Sequence, residues 1–257
     1  MASDTSTQQK GKIEKISRSD VKHVIAIGSG KGGVGKSSIT ALLAAGARKE
    51  GFNTGILDAD ITGPSIPKMF GLKTGQENRG VSPFESTLGI KIMSLNLLLQ
   101  NEDDPVIWRG PLIGGAIKQF WTDVEWGKLD YLFIDLPPGT ADAPLTVMQI
   151  VPLNGIVIVT SPQDLALMVV KKALKMAEAM DVPVMGIVEN MSHLICPHCL
   201  AKVEIFGPSK GEEISKSTGV PLLDVLPLDK KLAEHCDNGS IEQYESGLFK
   251  KLLTIME

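Results

Sequence analysis

Short runs dominated by Val, Ile and Leu recur along this chain, and between them apolar and polar residues mix at helical spacing. The runs are 21–28 (VKHVIAIG), 53–57 closed by Asp58, 89–95 (GIKIMSL), 131–135 (YLFID), 155–160 (GIVIVT), 182–188 (VPVMGIV) and 222–226 (LLDVL). Apolar runs this short, with little alternation, fit strands buried on both faces, as in a parallel sheet. Helix formers fill 37–50, 114–124 and 164–180, and Gly51 supplies a C-terminal stop to the first of these. Two further helices are predicted around 229–237 and 243–255. Strand–helix alternation of this kind predicts one α/β domain, a mostly parallel sheet flanked by helices, with right-handed crossovers. Residues 1–20 are polar and aperiodic and read as a flexible leader, leaving 21–257 as the domain. Residues 71–83 and 196–207 break the pattern as loops, although 202–206 (KVEIF) alternates like a hairpin arm.

Composition narrows the function classes. Of 257 residues 43% are hydrophobic, enough for a sizeable core and against global disorder. Lys and Arg number 26 against 30 Asp and Glu, a net charge of −4, so no basic field exists to neutralise a nucleic acid. No apolar run approaches the roughly 18 residues of a membrane span. The first residues lack the apolar core of a signal peptide, so a cytoplasmic protein is expected, without nucleic-acid or membrane partners. Three cysteines make no disulfide framework, but Cys196 and Cys199 form a CxxC pair, which in a reducing compartment points to metal or redox chemistry.

The segment Gly30-Lys31-Gly32-Gly33-Val34-Gly35-Lys36-Ser37 matches GxxxxGK[ST] and sits between a predicted strand and a predicted helix, the setting a phosphate loop requires. Glycines let the backbone curl until several N–H groups point at phosphate oxygens, and the helix adds the positive end of its dipole. Ser38 follows within the first turn of that helix. Lys36 is placed for the β- and γ-phosphates and the Ser37 hydroxyl for Mg²⁺. Asp135 closes a buried strand and precedes Pro137-Pro138-Gly139, so it reads as the carboxylate of the Mg²⁺ shell, with the Gly139 N–H as a γ-phosphate sensor. Asp60 is assigned to positioning the attacking water. Asp58, a lone Asp at a strand end, could equally be a turn residue. Asn190 ends another strand, where its amide suits the edge of adenine, although a turn-forming Asn reads the same way.

Lys31, a second lysine within the loop, resembles the deviant KGGxGK[ST] loop of the MinD, ParA and nitrogenase-iron-protein superfamily. That resemblance implies an ATP-dependent homodimer in which the extra lysine reaches the partner's nucleotide, giving Lys31 a catalytic role beside Lys36 and Asp60. The segments DADITGPSIP (58–67), WRGP (108–111), WGKLDYLFIDLPPGTAD (126–142), VTSPQDLAL (159–167) and VENMSHLICPHC (188–199) extend the likeness. Together they resemble the Mrp (ApbC-type) iron–sulfur cluster carriers, P-loop ATPases related to MinD. The resemblance runs from about residue 22 to the C-terminus. It implies an ATPase of low intrinsic rate that carries a [4Fe-4S] cluster and hands it to apo iron–sulfur proteins. Residues 1–20 hold no cysteine, so the second, N-terminal cluster site of some eukaryotic relatives is expected to be missing, as is the small extra domain of many bacterial ones.

In that setting Cys196 and Cys199 are the expected cluster ligands, in a loop near 191–207. A [4Fe-4S] cluster takes four thiolates, and one chain offers this pair, so two chains across a two-fold axis supply the set. Zn²⁺ could substitute in the same four-sulfur site. A thioredoxin-type dithiol also uses CxxC, but places its first cysteine at a helix N-terminus. His193 and His198 read as solvated loop residues before ligands, and Cys236 as a half-buried helix residue. Two other functions remain open on the sequence: a MinD- or ParA-like positioning ATPase, for which the tail 248–253 (LFKKLL) has some amphipathic character although a packed terminal helix explains it better, and a reductase like the nitrogenase iron protein.

Overall fold

Residue parity along the strands divides the interior in two. In the computed structural model, which describes residues 19–60, 63, 65–73, 82–94, 97, 110–140, 142–163 and 165–256, alternate positions of the central strands, from Val24 in the first of them and Tyr131 in its neighbour onward, serve different cores. Val24, Ala26, Leu132, Ile134, Ile156 and Ile158 face one layer of helices, while Ile25, Ile27, Tyr131, Phe133, Val157 and Val159 face the other. Successive side chains of a strand point to opposite faces, so a strand apolar at every position must be covered on both sides.

The elements in chain order are β1 (Ser19–Ser29), α1 (Lys36–Lys49), β2 (Thr54–Asp58), the short α2 (Ile66–Met69), β3 (Phe84–Glu85), β4 (Lys91–Ser94), α3 (Gly110–Thr122), β5 (Gly127–Asp135) and α4 (Asp142–Ile150). There follow β6 (Gly155–Thr160), α5 (Ala166–Ala179), β7 (Val184–Glu189), β8 (Leu194–Ile195), β9 (Lys202–Val203), α6 (Gly211–Thr218), β10 (Leu222–Val225), α7 (Lys230–Asp237) and α8 (Leu248–Met256). Among the described residues the main sheet has eight strands in the order β10-β7-β6-β1-β5-β2-β4-β3. All pairs are parallel except β3 with β4. The strand β1 lies between β5 and β6, so the connections leave it in both directions and open a crevice at the carboxyl ends of the strands.

The predicted mostly parallel α/β sheet is therefore the observed one, with shifted boundaries and several additional elements. The strand β1 begins at Ser19, inside the segment read as leader, because Ser19 and Asp20 pair with Gly127 and Lys128 of a β5 that also starts earlier than residue 131. The helix α4 was not anticipated, since Pro144, Thr146 and Val147 weaken its helical signal, yet Pro144 sits in the first turn where proline is tolerated. The helix α6 begins with Gly211 and buries only Gly211 and Ile214. The expected leader 1–18, Leu95, residues 74–81 of the predicted loop, Trp108 and Arg109 of WRGP, and Asp164 at the predicted start of α5 lie outside the described residues.

The C-terminal helix α8 is part of the core. Leu248, Phe249 and Leu252 are buried, and Phe249 meets Tyr131 edge-on at 5.1 Å and Phe133 at 6.3 Å between ring centroids. A Cβ at Gly46 of α1 would lie 2.8 Å from Phe249 Cβ, so the glycine lets the two helices close up. Lys250 and Lys251 pair with Glu50 and Asp224 at 3.1 and 2.6 Å. The apolar face of 248–253 is thus covered by the protein itself. No helix of the described residues is long and apolar enough to cross a membrane.

Candidate nucleotide site and thiol hairpin

The loop from Gly30 to Gly35 joins β1 to α1 at the crevice, and its glycines answer to particular neighbours. Gly33 and Gly35 have φ of 77° and 81°, a region that costs a side chain about 1–2 kcal/mol. A Cβ on Gly35 would also collide with the Asn190 amide nitrogen, and one on Gly30 with Val169 of α5. The loop is therefore clamped between the end of β7 and the first turns of α5. Asn190 Nδ2 donates to Val34 O at 3.0 Å from a buried position. Sequence reasoning placed Asn190 at the base; the geometry gives its amide nitrogen to the loop.

Behind the loop lies a buried polar knot. Lys36 Nζ is 2.7 Å from Asp135 Oδ1 and 3.7 Å from Asp60 Oδ2. Ser37 Oγ donates to Asp135 Oδ2 at 2.6 Å, and Thr40 Oγ1 donates to Asp135 Oδ1 at 2.9 Å. Asp135 is fully buried, so three donors offset the loss of its hydration. Ser37 and Asp135 together form a hard-oxygen pair suited to Mg²⁺, which keeps most of its waters and needs one or two protein oxygens.

Asp58 is register partner to Asp135 across the β2–β5 pair. It accepts from Ser94 Oγ at 3.0 Å and from Asp60 N at 3.1 Å. Burial first, and then the neighbouring Asp135 charge, push its pKa well above the ordinary 3.8, against the pull of Lys36. The turn reading and the site reading of Asp58 thus both have a basis: it caps the turn into Asp60 and sits beside the buried carboxylate of Asp135. Gly139 adopts φ 91° and its N–H donates to Ser29 O at 3.0 Å, so in this arrangement the proposed sensor is engaged within the protein. Lys31 Nζ donates to Gln163 Oε1, just before α5, a partner that sequence reasoning did not anticipate.

A cavity of about 240 Å³ adjoins the loop, lined by Ser38, Asn190, Pro227, Leu228, Asp229 and Cys236 among others. Cys236 Sγ lies 3.8 Å from Ser38 Oγ, and burial raises its pKa above the ordinary 9.0. Nothing local in the sequence joins Ser38 to Cys236; the sheet order does.

Cys196 and Cys199 stand in the turn between β8 and β9, a separate two-stranded hairpin. Cys196 N donates to Ala201 O and Leu200 N to Cys196 O, both at 2.9 Å, and Leu200 takes φ 58° to close the turn. The backbone N–H groups of Cys199 and then His198 point at the Cys196 sulfur and, with the Cys199 thiol, hold its pKa below 9.0. The turn geometry therefore favours the Cys196 thiolate, and no helix N-terminus takes part, which separates it from the dithiol of thioredoxin type. Among the described residues no group of three or more His, Cys, Asp or Glu side chains could hold a metal. His193 is held by Ser192 Oγ at 2.6 Å, and His198 is exposed. Ile195, Leu200, Val203, Ile205 and Phe206 leave an apolar surface exposed around the thiols.

This combination has relatives. An iron–sulfur cluster carrier protein of Methanocaldococcus jannaschii is 49% identical over 236 residues, covering 90% of this chain and 81% of its own. One from Clostridium perfringens is 46% identical, covering 88% and 82%. Among solved structures, a nucleotide-binding protein from Archaeoglobus fulgidus in complex with ADP superposes with a TM-score of 0.80 at 45% identity, covering 90% of this chain and 91% of that one. The septum site-determining protein MinD from Pyrococcus horikoshii, complexed with Mg-ADP, shares the fold at a TM-score of 0.61 and 19% identity, over 91% and 94% of the two chains. The ParA family described as the NUBPL iron-transfer P-loop NTPases matches residues 20–257. With the phosphate loop, its buried carboxylates and the thiol hairpin on one fold, the chain belongs to these iron-transfer P-loop NTPases.

Proposed function

We propose that the protein binds Mg·ATP at residues 30–38, hydrolyses it slowly, and carries a [4Fe-4S] cluster between two copies of the chain for transfer to apoproteins. The observation that carries this reading is the pairing of a glycine-clamped phosphate loop with a thiol hairpin whose backbone N–H groups favour the Cys196 thiolate. Two thiols per chain call for a second chain, and a two-fold axis supplies the other two. The relatives named as iron–sulfur cluster carriers support the cargo, and the ADP complex of the Archaeoglobus protein supports the nucleotide.

The residues have distinct tasks. The loop N–H groups and Lys36 hold the β- and γ-phosphates. Ser37 and Asp135 would hold Mg²⁺, which would supply charge neutralisation at the phosphates. Asp60 orients water for in-line attack on the γ-phosphorus, with ADP leaving. Lys31 leaves Gln163 and reaches the nucleotide of the second copy. The nucleoside lies in the cavity beside Ser38 and Asn190. Cluster transfer is ligand exchange at iron: acceptor thiolates replace those of Cys196 and Cys199, with no net oxidation or reduction.

The deciding measurement is iron and acid-labile sulfide per chain after anaerobic reconstitution, on wild type and Cys196→Ala. Four irons and four sulfides per two chains, lost in the variant while ADP still binds, are expected. A cluster retained by Cys196→Ala, or a wild type that takes only Zn²⁺, overturns the assignment.

A further inference from the structure

The thiol hairpin has almost no packing of its own. Residues 197–206 are exposed throughout, so its position is set where its two roots join the fold. The first root is tied to the end of β10: Ser192 N donates to Leu226 O at 2.9 Å, and Leu228 N donates to His193 O at 2.7 Å. The second root, residues 204–210, leads into α6, and Lys210 is its N-cap residue. There the Lys210 N–H donates to Glu189 Oε2 at 2.8 Å.

Glu189 is fully buried at the end of β7. Its other oxygen, Oε1, has no hydrogen-bond partner among the described residues, and neither has Thr160 Oγ1, its register neighbour on β6. A buried carboxyl with one unmatched oxygen is unfavourable for stability taken alone. Its location at the positive end of α6 offsets part of that cost. What it achieves is positional. Asn190, next in the chain, points to the opposite face of the sheet and holds Val34 O of the phosphate loop. Leu226 N, the first residue beyond β10, donates to Glu189 O at 2.8 Å. Two consecutive residues thus connect the phosphate loop on one face with both roots of the hairpin.

We infer that Glu189 is a positioning residue that transmits the state of the nucleotide loop to the thiol hairpin, through Asn190 on one side and the Lys210 N–H on the other. This rests on the nucleotide reading of residues 30–38. A shift of Val34 when phosphates bind moves Asn190, and Glu189 carries the displacement to the root of α6 and so to Cys196 and Cys199. The reorganisation alters which orientation of the thiols is favoured when cargo is taken or released.

The test uses the full chain without cluster, with ADP and Mg²⁺ as the probe, so it is independent of whether the cargo reading holds. Hydrogen exchange is followed at the amides of Cys196 and Leu200, with ADP affinity measured in parallel. In the wild type ADP should slow exchange at these amides by about fivefold or more, the lower range of ordinary coupling between sites. Glu189→Leu, whose apolar side chain suits the buried position but offers no acceptor, should bind ADP within about threefold of wild type and lose this response. Glu189→Gln keeps an acceptor oxygen and should restore it, and Glu189→Ala stands in if the Leu variant fails to fold. A wild type that binds ADP with no change in the hairpin, or a Leu or Ala variant that keeps the full response, overturns the inference. Failure of the wild type to bind ADP at all would instead remove the nucleotide reading beneath it.

Discussion

Lys36 Nζ lies 2.7 Å from Asp135 Oδ1, and both side chains are withdrawn from water. Breaking a buried pair by removing one member leaves the other uncompensated and costs about 3 kcal/mol or more. Here Ser37 and Thr40 still donate to Asp135, so the loss should fall at the lower end of that range. Lys36→Ala is expected to abolish ATP and ADP binding and to lower stability by about 3 kcal/mol. Titration with a fluorescent nucleotide and urea unfolding measure the two effects separately. Unaltered nucleotide affinity would refute the phosphate role of Lys36.

Asp60 faces the same lysine at a longer distance. Its Oδ2 is 3.7 Å from Lys36 Nζ, beyond a hydrogen bond, and its N–H is held by Asp58. A water-positioning residue contributes to the transition state and little to ground-state binding. Asp60→Ala should bind ATP like the wild type and release phosphate about 100-fold more slowly in a single turnover. Equal rates would sink the assignment.

Gly35 meets two constraints at once, a φ of 81° and the Asn190 amide where a Cβ would stand. Gly35→Ala therefore strains the backbone and pushes Asn190 off Val34 O. A stability loss of about 1–2 kcal/mol is expected from the backbone alone, together with loss of nucleotide binding. Differential scanning fluorimetry with and without Mg·ADP reads both: the midpoint should drop and no longer respond to nucleotide.

Much of this site is written locally in the chain. The phosphate loop spans eight consecutive residues, and Asp135 is marked by the apolar strand that carries it, so spacing alone exposed both. What pairs across the sheet was not legible. The Asn190–Val34 bond, the approach of Cys236 to Ser38 and the engagement of Lys31 by Gln163 join residues 132 to 198 positions apart. Asp58 shows the limit from the other side, because a turn cap and a buried site carboxylate have the same local sequence. The helices α4 and α6 escaped notice because Pro144 and Gly211 mask a helical pattern that tertiary burial of Val147 and Ile214 completes.

The three cysteines should differ in reactivity in an order set by their surroundings. Backbone N–H groups in the turn hold the Cys196 pKa below 9.0, whereas burial raises that of Cys236. Iodoacetamide reacts with the thiolate, so Cys196 should be alkylated first, with its rate profile displaced to lower pH, and Cys236 last. The sign for stability follows from the lowered value. The Cys196 thiolate favours the folded turn fully above the ordinary thiol range near 9.0, and that contribution is lost as pH falls through the depressed pKa. Mass spectrometry of alkylated peptides across neutral to alkaline pH gives the order directly. A Cys236 that reacts as fast as Cys196 would contradict both environments.

Phe249 tests how the terminal helix is held. Its ring is 1% exposed and meets Tyr131 and Phe133 edge-on, while its Cβ fills the space left by Gly46. Truncation to Ala removes these contacts and leaves a cavity between α1, α8 and the sheet, at a cost of about 3–4 kcal/mol. The loop proposed to hold phosphate lies at the other end of α1, so ADP affinity should stay within about twofold in whatever fraction remains folded. Urea unfolding monitored by circular dichroism gives the first quantity and calorimetric titration the second. If Phe249→Ala unfolds at the wild-type midpoint, α8 is not packed on the sheet, and its apolar face becomes available for the surface attachment that a positioning ATPase needs.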